Sequence, residues 1–218
     1  MRMFADRTDA GKHLAKQLAH LRGRDVIVLG LPRGGVPVAA EVAAVLDSPL
    51  DVLVIRKLGA PGNTEYAIGA IGEGGVRVVD EKAAARIGAT ALQAVEDRER
   101  AELARRLARY RPGKDLLDLR GKTVVIVDDG VATGSSASAA CQVARRLGAE
   151  RVVLAVPVAP RDWTERFRVG SGRGPIADEF VATATPSPFF AVGQFYESFA
   201  QTTDDEVLAY LDCLARRH

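Results

Sequence analysis

The chain has 218 residues, 47% hydrophobic and 27% charged, the balance of an ordinary soluble globular protein with enough apolar material for a sizeable core. Thirty basic residues against twenty-eight acidic ones leave a net charge of +2, which argues against a general nucleic-acid or membrane-surface footprint and makes any basic site a local one. No segment reaches the roughly 18 continuous apolar residues of a membrane span, and the N-terminus has no apolar run of signal-peptide length, so a cytoplasmic protein is expected.

The first predicted element is a helix in DAGKHLAKQLAHLR, where Leu14, Leu18 and Leu21 recur at i, i+4 and i+7. His13 and His20, seven apart on it, are read as surface or core residues without a catalytic role. The strand DVIVLGL (25–31) follows, then a helix in VPVAAEVAAVLDS entered through a Gly-rich turn. A second strand, LDVLVIR (50–56), leads into a stretch with six glycines between positions 58 and 75. Asp80 to Arg111 reads as one long helix or two broken ones, with i, i+4 pairs Glu96–Arg100 and Glu102–Arg106 and core leucines Leu103 and Leu107. Its polar face is either solvated or a dimer contact. RPGKDLLDLRGK ends it. Next come the strand TVVIVDD (123–129), a helix in SSASAACQVARRLGA and the strand RVVLAVPV (151–158).

Beyond Pro157 the sequence predicts a short helix in APRDWTERF, one or two strands, and a closing helix capped by Thr203 with Glu206. The strands are continuously apolar, as in a parallel sheet buried on both faces, and alternate with helices, which gives an α/β fold with right-handed crossovers. Cys141 and Cys213 sit in helical patterns without CxxC spacing and are read as reduced, buried, structural thiols.

The chemistry concentrates where TVVIVDD runs into GVATGSS (130–136). A strand, a glycine turn and a helix aim several backbone N–H groups into one concavity at the positive end of the helix dipole, which makes a phosphate cradle. Thr133, Ser135 and Ser136 add hydroxyls. The lysine of GxxxxGK[ST] is missing, so no nucleoside-triphosphate loop is read. Asp128 and Asp129 can accept hydrogen bonds from vicinal hydroxyls or help hold a divalent cation. Hydroxyls beside a phosphate describe a ribose 5-phosphate.

This run resembles the fingerprint of the type I phosphoribosyltransferases, and the resemblance extends over roughly residues 25–158. It implies a type I phosphoribosyltransferase-like α/β fold: a parallel sheet flanked by helices, with a small C-terminal hood and a helical insertion. Residues 1–218 would form a single domain, with a core at about 9–158, the insertion at about 80–111, and hood and C-terminal helix at about 159–218. By the same resemblance Asp128 and Asp129 hold the ribose hydroxyls, while Gly130, Val131, Ala132, Thr133, Gly134, Ser135 and Ser136 bind substrate, the stretch from Ala132 to Ser136 wrapping its 5-phosphate.

GLPRGGVPVAAEVA (30–43) is similar to the family's pyrophosphate loop. Arg33 can fork onto phosphate oxygens, and Gly34 and Gly35 let backbone amides approach an anion. Relatives often have a cis bond before the basic residue, expected here between Pro32 and Arg33. Arg56 and Lys57 match a basic pair that reaches pyrophosphate, with Lys57 favoured. The glycine-rich stretch after them matches a mobile loop that excludes water, on which Glu65 and Tyr66 are candidate proton carriers.

The implied reaction transfers ribose 5-phosphate from phosphoribosyl pyrophosphate to a nitrogen acceptor and releases pyrophosphate. Arg33, Lys57 and Asp129 would carry catalysis, and Mg²⁺ would be held mainly by substrate oxygens. Hypoxanthine and guanine members carry an acid aligned with Ala132 that serves the purine ring. Alanine cannot do so, which leaves the acceptor open. Phe189, Phe190, Phe195, Tyr196 and Phe199 either cover that acceptor or belong to the core. The alternative function is a regulatory protein that senses phosphoribosyl pyrophosphate without catalysis. A hydrolase or binding protein for phosphorylated sugars is the third reading. No nucleic-acid partner is expected, and a homodimer is left open.

Overall fold

A computed structural model describes residues 2–61, 63–167 and 176–215. The chain runs α1 (Arg7–Gln17), β1 (Val26–Gly30), α2 (Gly35–Leu46), β2 (Leu50–Val52), β3 (Ile55–Ala60), β4 (Asn63–Gly72), β5 (Arg77–Val79), α3 (Glu81–Ile87), α4 (Ala89–Tyr110), β6 (Thr123–Val127), α5 (Ser135–Arg146), β7 (Arg151–Val158), β8 (Glu179–Ala184) and α6 (Asp204–Ala215). Five strands pair in parallel in the order β2-β1-β6-β7-β8.

The continuous apolar strands have the physical basis expected of them. Val26 and Val28 of β1, with Val125 and Val127 of β6, face α1 and α2, whereas Ile27, Leu29, Val124 and Ile126 point to the opposite side, against α5. Both faces are core, so neither set of alternating positions can be polar. The α/β fold with a helix-flanked parallel sheet is therefore as expected. Its strand order reverses between β1 and β6, and α2 and α5 leave those strands for opposite faces. A crevice consequently opens outside the carboxyl ends of β1 and β6, the usual ligand position in an open α/β sheet.

Three details differ from the sequence reading. First, the strand expected over 50–56 is interrupted. Leu53 N–H still bonds the Gly30 carbonyl at 3.1 Å, but the next N–H, that of Val54, goes to Glu73 Oε1 at 3.1 Å. The ladder stops there, and β3 begins a separate antiparallel sheet, β3-β4-β5. Second, much of the glycine-rich stretch read as a loop is the β3–β4 hairpin of this sheet, with Leu58, Ile68 and Ile71 buried. Third, Cys141 is buried but Cys213 is exposed, so only one thiol belongs to the core.

The helical segment resolves into α3 and α4, separated at Gly88 with φ of +86°, a conformation glycine adopts without Cβ strain. Thr203 and Glu206 form the expected capping box: Thr203 N–H bonds Glu206 Oε2 at 2.7 Å, and Glu206 N–H bonds Thr203 Oγ1 at 3.2 Å. His13 and His20 lie on the surface beside Asp9 and Glu179. Among the described residues no helix is long and apolar enough to cross a membrane.

Candidate active site

Gly30 of β1 and Val127 of β6 are register partners, so the loops that follow these strands meet. They meet at backbone distance. A Cβ on Gly34 would lie 2.0 Å from Asp129 Oδ2, and one on Gly35 would lie 2.6 Å from the Val127 carbonyl oxygen and 2.9 Å from Asp128 Cα. Any side chain at either position would drive the acids from their place. The Pro32–Arg33 peptide bond is cis, as the resemblance implied.

Past the acids, Gly134 leads into α5 with φ of +82°, and a Cβ there would strike the Phe167 ring at 2.7 Å. Thr133 Oγ1 and Ser135 Oγ share a hydrogen bond at 3.1 Å. Val131 stands apart from the rest of the loop. Its side chain is in the core, and its N–H donates to the Val158 carbonyl at 3.0 Å, so it supports the loop rather than offering an amide to a ligand. A Cβ on Gly130 would lie 2.5 Å from Val192 Cγ1, which places the C-terminal segment directly on the loop.

Asp128 Oδ1 accepts the N–H of Asp129 at 2.9 Å. Asp129 Oδ2 accepts Arg7 Nε at 2.8 Å and forms an ion pair with Nη2, also at 2.8 Å. Arg7 also donates through Nη1 to the Ala200 carbonyl at 2.6 Å, and its guanidinium carbon sits 3.9 Å from the Phe199 ring centroid. The Tyr196 hydroxyl donates to the Asp129 carbonyl at 2.5 Å. Withdrawal from water pushes the Asp128 carboxyl well above the ordinary carboxylate range, and the neighbouring Asp129 charge pushes it further. Burial also raises Asp129, while the Arg7 charge holds it down. Sequence reasoning missed Arg7, because nothing in ADRTDAGK marks it.

A cavity of about 190 Å³ adjoins the acids, lined by Pro32, Arg56, Lys57, Arg106, Asp128 and Ser136 among others. Four of the predicted site residues therefore share one space. Arg56 is held by Glu99, whose Oε2 accepts Nε at 2.8 Å and lies 2.6 Å from Nη2 in an ion pair. Lys57 is exposed. Arg33 reaches toward Asp204 at the start of α6, with 3.9 Å between Nη1 and Oδ1. Cations, a carboxylate and a hydroxyl around one cavity suit a polyanion that also bears hydroxyl groups. A larger cleft of about 590 Å³, bordered by Glu73, Arg111 and Lys114, contains none of the predicted site residues and lies apart from this chemistry.

Among the described residues no group of three or more His, Cys, Asp or Glu is placed to hold a metal. The hard oxygen donors at hand are the two aspartates. Of the aromatic residues proposed as a hood, Phe195 and Tyr196 are buried against Phe4, and Phe189 packs on Phe195 with 5.0 Å between centroids. Phe190 is 83% exposed, and Phe199 underlies Arg7. The side chains of Glu65 and Tyr66 lie outside the described residues.

The model of a phosphoribosyl transferase domain matches residues 5–183. Two curated relatives, from Mycobacterium tuberculosis strains CDC 1551 / Oshkosh and ATCC 25618 / H37Rv, carry provisional phosphoribosyl transferase names. Each is 56% identical over 214 residues, which is 97% of this chain and 47% of the relative. The chain thus spans about half the length of the curated relatives it matches. The crystal structure of TT1426 from Thermus thermophilus is 46% identical, with a TM-score of 0.85 over 98% of this chain and 99% of that one.

Proposed function

The chain belongs to the phosphoribosyl transferase family, and from that premise we propose that it transfers ribose 5-phosphate from phosphoribosyl pyrophosphate to a nitrogen acceptor, releasing pyrophosphate. The observation that carries this reading is the contact between the two loops: Gly34 and Gly35 press the PRGG turn against Asp129 and Asp128 with no room for a Cβ. A diol-binding acid pair and an anion-binding turn in contact suit a sugar whose hydroxyls and diphosphate are neighbours.

A nitrogen nucleophile displaces pyrophosphate from C1 through a transition state of oxocarbenium character. No covalent nucleophile on the protein is needed. The Asp128 and Asp129 side-chain oxygens accept the ribose hydroxyls, and because both Arg7 contacts fall on Asp129 Oδ2, Oδ1 keeps lone pairs for the sugar. Residues Ala132 to Ser136 orient the 5-phosphate, while Arg33 and Lys57 neutralise charge that builds on the departing pyrophosphate. The Asp128 and Asp129 oxygens are the hard donors that would help hold a Mg²⁺ bound mainly by substrate oxygens, and such an ion would further neutralise that charge. Ala132 offers no acid to an acceptor ring, so the acceptor stays unnamed.

Calorimetry with phosphoribosyl pyrophosphate and Mg²⁺, followed by pyrophosphate release across a panel of nucleobases, tests the reading. Binding with release on at least one acceptor is expected. Binding without release on any of them returns a sensor on the same fold, and absence of binding overturns both.

A further inference from the structure

Along α4, Leu92, Val95, Leu103 and Tyr110 are buried, and position 106 falls on that same face, three residues after Leu103 and four before Tyr110. An arginine on an apolar stripe is directed at the protein rather than at bulk water. Arg106 meets the cavity there, beside Lys57, Asp128 and Ser136. Resting on the reading above, we propose that Arg106 binds the diphosphate of the sugar substrate, completing with Lys57 a cationic grip on the leaving group.

The way each cation is already held decides between the candidates. Arg56 places both Nε and Nη2 on Glu99 Oε2, and the Glu99 side chain is only 10% exposed. Drawing Arg56 away would strip the buried Oε2 of its partner, since the neighbouring Arg98 reaches only Glu99 Oε1, at 3.2 Å, so Arg56 serves as a fixed wall. Arg106 is different. Among the described residues its hydrogen bond runs from Nε to Glu102 Oε1 at 2.8 Å, with Asp204 near enough to feel its charge. Glu102 is also gripped by Arg105, through Nε on Oε2 at 2.8 Å and Nη2 on Oε1 at 2.9 Å. If Arg106 turns to an incoming anion, Glu102 therefore keeps a forked partner. The pair given up is a half-exposed i, i+4 contact of little worth. Its two Nη groups are at hand for the parallel bonds that a guanidinium makes to phosphate oxygens. The helix that interrupts the strand–helix alternation thereby supplies the site with a cation that no motif carries.

The test separates the two halves of the substrate. Wild-type protein, Arg106→Ala and Arg106→Lys are titrated by calorimetry with inorganic pyrophosphate and, separately, with ribose 5-phosphate, both with Mg²⁺, alongside thermal melts. Arg106→Ala is expected to lose at least tenfold in pyrophosphate affinity, to bind ribose 5-phosphate as wild type does, and to melt unchanged; Arg106→Lys recovers part of the loss. Wild-type affinity for pyrophosphate in Arg106→Ala, or an equal loss for both ligands, overturns the assignment of Arg106 and leaves the site reading standing. A wild-type protein that binds neither ligand removes the site reading and this inference with it.

Discussion

Asp128 is held against its own ionisation. Burial pushes its carboxyl well above its ordinary value of 3.8, so the folded protein takes up this proton more readily than the unfolded chain. The contribution of Asp128 to stability therefore falls as pH rises from 3.8 through the raised folded value. Asp128→Asn removes the charge and keeps an oxygen to accept the Asp129 N–H. The variant is expected to match wild type below about pH 3.8 and to exceed it at pH 7 in denaturant unfolding; lower stability at pH 7 would refute this account. Asp129→Asn is expected to keep the fold, with an oxygen still facing Arg7, and to lose tenfold to a hundredfold in phosphoribosyl pyrophosphate affinity, as about 1.5–3 kcal/mol for a charge-assisted bond requires. Unchanged affinity would tell against a ribose role. Both acids and the RGG turn were legible because each is a run of consecutive residues whose chemistry is local. Arg7, 122 positions from Asp129, and Arg106 left no such signal, since only tertiary packing brings them to the site.

At the scale of the element, α4 shows where periodicity informs and where it stops. The expected pairs are present, Glu102–Arg106 at 2.8 Å and Glu96–Arg100 at 3.7 Å. The solvated face is not uniformly solvated: Glu96 and Glu99 are buried because Arg77 Nε, at 2.7 Å, and Arg56 arrive from the antiparallel sheet. No helical pattern reveals a partner carried by a strand of another layer. The interruption after Val52 escaped for the same reason, since Glu73 is 19 residues away from the N–H it captures. The start of α6, by contrast, was readable from Thr203 and Glu206 alone. Its first residue, Asp204, accepts the Tyr110 hydroxyl at 2.6 Å and pairs with Arg109 at 3.1 Å, so the cap also sets the α4–α6 contact beside Arg33. Thr203→Ala is expected to cost about 1 kcal/mol in denaturant unfolding, with Thr203→Ser restoring most of it. A serine variant as weak as the alanine one would assign the loss to the methyl group instead of the cap.

In the whole molecule, the parallel sheet that positions the acids and the antiparallel sheet that carries Arg56 and Lys57 are joined by a buried ion cluster. Arg111, at the end of α4, pairs with Glu73 Oε2 and, at 3.4 Å, with Asp51 Oδ1 of β2; all three side chains are at most 8% exposed. Glu73 also accepts Val54 N–H, the bond that turns the chain from one sheet to the other. Burial already raises both carboxyls above their ordinary values of 3.8 and 4.5, with Arg111 opposing it. Arg111→Met takes away that opposition, so both rise further and the folded variant binds protons that the unfolded chain does not. Its stability must then fall as pH rises. The expected cost is about 3–5 kcal/mol at pH 7, the range for a buried pair stripped of one partner, shrinking toward about pH 4 as the carboxyls protonate in both states. Asp51→Asn and Glu73→Gln, added to Arg111→Met, should recover most of it, because the acceptor for Val54 survives while the stranded charges do not. Unfolding free energies of the single and triple variants at the two pH values decide the matter: a deficit that is constant with pH, or that the triple variant retains, would place the junction's stability in the packing of Arg111 and not in its charge.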